Sequence, residues 1–216
     1  MGVFFRMIGR SGNIFVIFIL MGITTLNAQK IVRKSVLDPE TSFLVIDADN
    51  CFKVELATSE SREIVVEAHI DGEYRDDLLV KLEHNGPIVE LSAGFYPDFI
   101  QPNDKLSAHK VISIALQVQV PRNMRVSILG TATNVFAKGN FDHLKVVLDD
   151  GICNLDLFYG TAKVITRSGD INVRTKSAMF KTKTGFGKIE SDSIPKGEDF
   201  YDISTTTGDI HLMKME

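Results

Sequence analysis

Residues 167–173, RSGDINV, and residues 206–212, TTGDIHL, share one pattern: a polar turn, a glycine, an acidic residue and an alternating strand. The same turn position recurs through the second half of the chain, at Thr133, Gly151, Gly169, Gly187 and Gly208. The intervals between these positions are 18, 18, 18 and 21 residues. A fixed period of this length is typical of a fold in which each unit stacks on its neighbours.

Each unit holds two short runs in which apolar and polar residues alternate. Apolar side chains recur before and after each turn position, as in Leu144, Val146, Cys153, Leu155, Ala162, Val164, Ile171, Val173, Ile203 and Ile210. Alternation with a period of two indicates β-strands with one buried face. No apolar stripe recurs at every third and fourth residue, so the pattern excludes helices here.

The predicted fold class is all-β, with a single-chain β-solenoid of about five rungs, each of about 18 residues in a β-helix-like arrangement. One unit cannot bury its few inward side chains alone, whereas stacked units align like residues in continuous columns. Threonines three residues before the turn glycines, Thr166, Thr184 and Thr205, are expected to hydrogen-bond between rungs. The turn glycines are expected to need a positive φ.

The repeated phrases behind a signal segment resemble the bacterial "putative adhesin" domains of unknown function, the GIN-type or autotransporter adhesin head group. The resemblance covers residues 125–216 and implies an exported β-solenoid. The matching elements are structural repeats, so the resemblance carries over no functional residue.

The first half of the mature chain also reads as strands, without the regular period. Alternating runs at 43–46, 52–56, 63–70, 78–82, 88–91 and 111–120 are separated by polar turns. This region is expected to close the end of the solenoid, since an open apolar end would pair with another chain. The predicted divisions are a signal peptide at 1–28, an N-terminal β-strand region at 29–120 and the repeat region at 121–216.

The N-terminal segment predicts export. Arg6 and Arg10 precede a short apolar run at 14–23, and Ala28 ends a plausible cleavage site. An uncleaved anchor is the alternative, but a spanning helix needs roughly 20 apolar residues. After cleavage no transmembrane segment remains, and the expected location is the periplasm or the cell surface. The chain has 24 Lys and Arg against 28 Asp and Glu, and this acidic balance argues against nucleic acid as a partner.

A loop at residues 94–110, GFYPDFIQPNDKLSAHK, interrupts the strands with large apolar side chains. Its candidate partner-binding residues are Phe95, Tyr96, Phe99 and Ile100. Clustered aromatic residues on a long loop favour a binding surface. The alternative is that the loop folds back over the core and buries them. The absence of tryptophan weakens a reading of sugar binding at this loop.

The two cysteines, Cys51 and Cys153, allow two interpretations. An exported chain permits a disulfide between them. Alternatively Cys153 is a small buried residue, as its place in an apolar column of the repeat favours.

The sequence contains no catalytic signature and no metal-binding motif, so neither a cofactor nor a metal is expected. The histidines, His69, His84, His109, His143 and His211, are scattered, and the acids at 149–150, Asp170 and Asp209 read as turn formers rather than calcium ligands. Polysaccharide-cleaving β-helix enzymes use acidic and basic residues on an outer face. The candidates for such a face are Asp156, Lys163, Arg167 and Arg174.

The function expected from these features is a non-catalytic exported envelope or cell-surface module, adhesin-like, that binds a protein or glycan partner. The alternative is a periplasmic stress-sensing or regulatory accessory protein. A polysaccharide-cleaving enzyme ranks third, because the motifs of such enzymes are missing.

Overall fold

The computed structural model describes residues 30–36, 40–99 and 112–215. Within these ranges fifteen strands form one connected sheet, there is no α-helix, and a single 3-10 turn spans Arg75–Asp77. The strands of the first half are β1 Lys30–Val36, β2 Phe43–Asp47, β3 Lys53–Ser59, β4 Ile64–Gly72, β5 Leu78–Asn85, β6 Ile88–Phe95 and β7 Ile112–Pro121. Those of the second half are β8 Met124–Ala132, β9 Asn134–Asp150, β10 Cys153–Thr166, β11 Ile171–Thr175, β12 Met179–Thr184, β13 Ile189–Ser191, β14 Phe200–Thr205 and β15 Ile210–Lys214. The all-β prediction is confirmed.

The sheet consists of two strand stacks that share β9 and β10. Stack I contains, in spatial order, β5, β6, β2, β8, the second halves of β9 and β10, β14 and β12. Stack II contains β1, β4, β7, β3, the first halves of β9 and β10, β11, β15 and β13. Pairing is antiparallel for β1–β4, β4–β7 and β5–β6, and parallel for all the other strand pairs of the described residues.

The two long strands cross between the stacks at glycines. Gly139 in β9 and Gly160 in β10 have φ values of +112° and +116°, a left-handed conformation that other residues rarely adopt. A Cβ atom at Gly160 would also collide with the carbonyl oxygen of Phe141 on the neighbouring strand. The bend between the stacks therefore requires glycine for both conformation and space.

The core is one continuous hydrophobic cluster to which both stacks contribute. Alternate residues of the inner strands point inward. These include most of the repeat columns predicted from sequence, since the following residues are all buried: Leu144, Val146, Ala162, Val164, Cys153, Leu155, Ile171, Val173, Ile203 and Ile210. Full burial of a Val, Leu or Ile side chain stabilises the fold by roughly 1.5–3 kcal/mol. The alternation in sequence thus identified the buried face of these strands. Ile189, which the same columns predict to face inward, is instead 44% exposed, because β13 is the outermost strand of stack II.

The 18-residue interval appears in the strand register, but the last two units do not stack in chain order. Cys153 pairs with Val135 on one side and with Ile171 on the other. Ile171, however, pairs next with Ile210, and Ile189 pairs with Ile210 from the outer side. Stack I shows the same exchange, since β14 lies between β10 and β12. The finer prediction, a regular solenoid of 18-residue rungs, is therefore not confirmed.

A difference in side-chain polarity explains this exchange. The inner unit, formed by β14 and β15, buries Tyr201, Ile203 and Leu212. The outer unit, formed by β12 and β13, carries Thr182 and Ser191 at the corresponding places. Placing the more apolar unit inside removes more apolar surface from water. The outer unit also presents lysines at 181, 183 and 188, and charged edge strands resist pairing with other chains.

The turn glycines form a column in which backbone approaches backbone. A Cβ at Gly169 would collide with the carbonyl oxygen of Gly151, and one at Gly208 would collide with that of Gly169. Of the four turn glycines only Gly151 has a positive φ, so the expectation of positive φ is wrong for Gly169, Gly187 and Gly208. Space, rather than conformation, requires glycine at these three positions.

The threonines beside this column bond to it rather than to one another. The Thr166 hydroxyl donates to the carbonyl oxygen of Gly169 within its own turn, at 2.6 Å. The Thr184 hydroxyl donates to the carbonyl oxygen of Gly208 on the adjacent unit, at 3.1 Å. The hydroxyls therefore satisfy corner carbonyl groups, including some between units, as buried polar groups must be satisfied.

Strands of the first half continue both stacks. β2 pairs in parallel with β8, and β3 pairs in parallel with β9. The predicted runs at 43–46, 52–56, 63–70, 78–82, 88–91 and 111–120 correspond to β2 through β7. The antiparallel strands β1, β4 and β5 lie at the far end from β12 and β13.

Candidate functional site: an aromatic cluster and an outer-face groove

The predicted aromatic loop begins at the end of β6, where Phe95 is the last strand residue. The backbone N–H of Tyr96 donates to the carbonyl oxygen of Asp77 at 2.9 Å, and that of Phe99 donates to Tyr96 at 3.0 Å. These bonds fix the first turn of the loop against the 3-10 turn. Ile100 and residues 101–110, which include His109, lie outside the described residues.

Three rings form a cluster at this point. The rings of Phe95 and Phe99 are stacked, with centroids 4.2 Å apart and an interplanar angle of 7°. Tyr74 packs edge-on against Phe99 at 5.3 Å and against Phe95 at 6.2 Å. Such offset and edge-on contacts contribute about 0.5–1.5 kcal/mol beyond burial. Sequence reasoning missed Tyr74, because it precedes the 3-10 turn and lies far from the loop in the chain.

The cluster remains open to solvent on one side. Phe95 is 39% exposed and Tyr96 is 44% exposed, whereas Tyr74 beneath them is buried. Tyr96 and Phe99 also line a shallow depression of about 520 Å³, together with Asp77 and Asp98. The rings are therefore held by the fold and yet offer apolar surface that a partner can cover.

A second surface lies on the outer face of stack II, where a groove of about 410 Å³ crosses four adjacent strands. The strand register aligns Gln117, Glu55, Phe136 and Asn154 in one row across β7, β3, β9 and β10. In the next row, Ala57 lies between Gln119 and Lys138. The small Ala57 side chain leaves the floor of the groove low between its longer neighbours.

Each carboxylate along this groove is paired with a cation. Lys53 Nζ lies 2.8 Å from Glu55 Oε1. The Arg174 guanidinium donates its Nε–H to Asp156 Oδ1 at 2.7 Å and a second N–H to Oδ2 at 2.6 Å. The hydrogen bond from Arg174 holds the pKa of Asp156 below its ordinary value, and the positive charge of Lys138 acts in the same direction. Asp156 is therefore an ionised, paired carboxylate, unlike a general acid with a raised pKa.

The structure does not bring together the residues proposed for a polysaccharide-cleaving face. Asp156 and Arg174 pair on stack II. Lys163 lies on β10 where this strand belongs to stack I. Arg167 lies in a corner turn, where its guanidinium is 3.7 Å from an Asp149 carboxylate oxygen.

The acids at the corner turns bind backbone groups. Asp170 accepts the backbone N–H of Asp209 at 2.8 Å, and Asp209 accepts that of Lys188 at 2.7 Å. His69 and His211 each lie beside one glutamate, Glu67 and Glu190 respectively. Among residues 30–36, 40–99 and 112–215, no three His, Cys, Asp or Glu side chains are grouped so as to hold a metal ion.

The two cysteines are free thiols, and both are buried. The disulfide alternative is therefore wrong, and Cys153 is a core residue as its column position favoured. Burial raises the pKa of each thiol to about 12, and for Cys51 the negative charges of Asp47 and Asp49 add to this effect. Neither thiol is a nucleophile at neutral pH.

Comparison with known proteins establishes the fold at low sequence identity. The chain is similar to the crystal structure of a "putative cell adhesion protein" from Clostridium sporogenes, with a TM-score of 0.63 and 15% identity over 87% of this chain and 100% of that chain. A "putative adhesin" from Bacteroides fragilis aligns at a TM-score of 0.40 and 12% identity over 85% of this chain and 97% of that chain, too low to support an inference. No protein-family model matches the chain, and no curated protein matches it. In the part of the chain that the structure describes, no helix has the length and apolar character needed to cross a membrane.

Proposed function

We propose that this chain is a non-catalytic, exported envelope or cell-surface module, adhesin-like, that binds a protein or glycan partner. The observation that carries the proposal is the partly exposed apolar surface that Phe95, Tyr96 and Phe99 form where β6 ends, with the rings of Phe95 and Phe99 ordered by stacking. The binding site consists of these three residues and of Ile100, which follows them in the loop.

The chemistry of this cluster suits partner binding. Aromatic side chains dominate the energetics of many interfaces, because a rigid ring buries much area at a small entropic cost. Tyr96 adds a phenol group, which can hydrogen-bond at the edge of an apolar contact. Stacking of Phe95 on Phe99 already orders both rings, so these two side chains would lose little further entropy when a partner binds.

Export and surface location are further parts of the proposal. They rest on the predicted signal peptide at 1–28 and on the fold shared with the structure described as a "putative cell adhesion protein". The divisions at 29–120 and 121–216 are retained, and stacked units of about 18 residues are the proposed description of the repeat region. Strand pairs such as Cys153 with Ile171 support that spacing.

The test measures binding of the chain to isolated bacterial envelope fragments by quantitative crosslinking. A Phe95→Ser, Tyr96→Ser variant is compared with the normal chain. The matched control is Phe52→Ser, Phe186→Ser, which removes two exposed rings elsewhere, since Phe52 is 46% and Phe186 is 84% exposed. Circular dichroism and thermal unfolding establish that each variant is folded.

The proposal predicts that binding falls at least about tenfold in the loop variant and stays unchanged in the control. Equal binding by all three proteins would exclude the loop as the site. Release of new reducing ends from polysaccharides incubated with the chain would overturn the non-catalytic assignment.

A further inference from the structure

We propose that the outer-face groove of stack II is a binding site for an uncharged oligosaccharide. This site lies on β3, β7, β9 and β10, away from the loop that follows β6, and the inference does not depend on the function of that loop. It rests on the side chains that the sheet order places together in the groove.

The groove combines an exposed ring with polar groups of both hydrogen-bonding types. Phe136 is 43% exposed in the middle of the groove, between Glu55 on β3 and Asn154 on β10. The amides of Gln117 and Gln119 each offer two donor hydrogens and an acceptor oxygen, and the amide of Asn154 offers two donor hydrogens. Sugar hydroxyls both donate and accept, and the C–H face of a pyranose ring packs on an aromatic ring. The groove therefore matches the two kinds of surface that a sugar chain presents.

Two of the polar side chains along the groove, Asn154 and Asp156, are held in place by their neighbours. Asn172 donates its side-chain amide to Asn154 Oδ1 at 3.0 Å. Arg174 holds the Asp156 carboxylate through two hydrogen bonds. Both donors lie on β11, directly beside the groove. Groups that are already ordered lose less entropy when a ligand binds, so this arrangement favours affinity.

The pairing of charges in the groove favours an uncharged ligand. Three cations, Lys53, Lys138 and Arg174, stand against two carboxylates, Glu55 and Asp156. Each carboxylate already has a cation beside it. A polyanion would have to compete with these ion pairs, and it would meet the carboxylates as well as the lysines.

The floor of the groove disfavours an extended peptide. β3 pairs with β7 on one side and with β9 on the other, so its backbone hydrogen-bonding groups are used within the sheet. An extended peptide gains affinity mainly by backbone pairing at a free sheet edge, which this face does not provide. A ligand on this face must therefore be recognised by side chains, such as amides that hydrogen-bond to sugar hydroxyl groups.

The experiment titrates the full chain with hexasaccharides of glucose in α-1,4 and β-1,4 linkage, N-acetylglucosamine, mannose, xylose and galactose, by isothermal calorimetry. Hexagalacturonate serves as the acidic probe and an uncharged extended decapeptide as the peptide probe. Phe136→Ala and Ala57→Leu alter the groove, Phe136→Trp keeps a ring there, and Phe186→Ala is the control.

The expected result is a dissociation constant at or below about 1 mM for at least one uncharged hexasaccharide. Binding should weaken at least about tenfold in Phe136→Ala and in Ala57→Leu, and it should persist in Phe136→Trp and in Phe186→Ala. The Ala57→Leu variant keeps the ring and only fills the floor, so it separates loss of the groove from loss of Phe136 packing. Thermal unfolding identifies any variant that has lost its fold.

Three outcomes would overturn the proposal: no uncharged saccharide bound with a dissociation constant of about 1 mM or lower, saccharide binding unchanged in both groove variants, or binding of the acidic or peptide probe alone. Failure of the groove proposal would leave the test of the proposed function unaffected, because that test changes Phe95 and Tyr96 and no residue of the groove. Conversely, saccharide binding that survives the Phe95→Ser, Tyr96→Ser change but is lost in Ala57→Leu would assign the sugar to the groove.

Discussion

The Tyr201 hydroxyl donates a 2.8 Å hydrogen bond to the backbone carbonyl oxygen of Phe158, inside the core of stack I. The Phe158 ring stacks on Phe141 at 5.2 Å and meets Tyr201 edge-on at 5.6 Å, and Phe180 lies 5.3 Å beyond Tyr201. The four rings follow the spatial order β9, β10, β14 and β12. The order of the rings therefore matches the strand order, in which β14 of the last unit lies between β10 and β12.

Replacement of Tyr201 by phenylalanine should lower the free energy of unfolding by about 1–2 kcal/mol. The change leaves a buried carbonyl oxygen of Phe158 without its donor, while the ring and its packing are kept. Burial raises the pKa of Tyr201, so the hydroxyl remains protonated and able to donate at neutral pH. Urea denaturation of the variant measures the loss. Tyr159→Phe is the control, since Tyr159 is exposed, and an equal loss in both variants would contradict the assignment.

Engineered disulfides should report the order of the last three units. In stack I, Lys163 pairs with Asp202, and Asp202 pairs with Lys181. Paired residues on adjacent strands lie about 4.8 Å apart, within the range that a disulfide spans, whereas residues two strands apart exceed it. Lys163→Cys, Asp202→Cys should therefore oxidise readily, and Lys163→Cys, Lys181→Cys should not.

Mass spectrometry of tryptic peptides under non-reducing conditions identifies the linked pair. The native cysteines are buried and do not compete. Preferential linkage of positions 163 and 181 would mean that the units stack in chain order, contrary to the structure.

The fold class was predictable from sequence, but the order of the units was not. Period-two alternation marks Val164 and Ile171 as inward-facing, because a strand has only two faces. The units that contain Thr182 and Ile203 share one pattern, so periodicity gives no reason to exchange them. Only a comparison of their polarity carries that information, since the more apolar unit gains more by burial.

The aromatic loop and the groove of stack II also differ in how far the sequence predicts them. Phe95 and Phe99 stand out in sequence because they cluster within one loop. Phe136 and Asn154 are one 18-residue interval apart, so the repeat aligns them. Gln117 and Glu55 lie on β7 and β3 outside the repeat, and only the sheet order brings them beside Phe136. Single-sequence patterns contain no signal for a site built across strands with irregular connections.

Substitution of Gly169 by alanine should destabilise the protein more than substitution of Gly86. A Cβ at Gly169 would collide with the backbone of Gly151, which the adjacent strands hold in place. Gly86 has a φ of +59° but nothing within 4 Å of its Cβ position, so only the conformational cost applies there. The expected loss is about 3 kcal/mol or more for Gly169→Ala and about 1 kcal/mol for Gly86→Ala, as measured by urea denaturation. Equal losses would show that the glycine column is not close-packed.

The two buried thiols should make stability depend on pH in the alkaline range. In the unfolded chain a thiol ionises near pH 9, whereas burial raises the pKa of Cys51 and Cys153 to about 12 in the folded protein. Between these values the unfolded state releases protons that the folded state retains, so the free energy of unfolding falls as the pH rises. Below pH 9 the contribution of both thiols is fully present. Denaturation midpoints at pH 8 and pH 10.5 measure the effect.

A Cys51→Ala, Cys153→Ala variant isolates the thiols from lysine and tyrosine residues that titrate in the same range. The variant should be less stable at pH 8, because two buried sulfur atoms are lost, but its midpoint should fall less between the two pH values. Iodoacetamide should label the normal chain at pH 8 only in denaturant, because thiolates are the reactive species and the folded protein contains almost none at that pH. Rapid labelling of either cysteine in the folded chain, or parallel pH profiles for the two proteins, would show that the thiols are not buried as neutral groups.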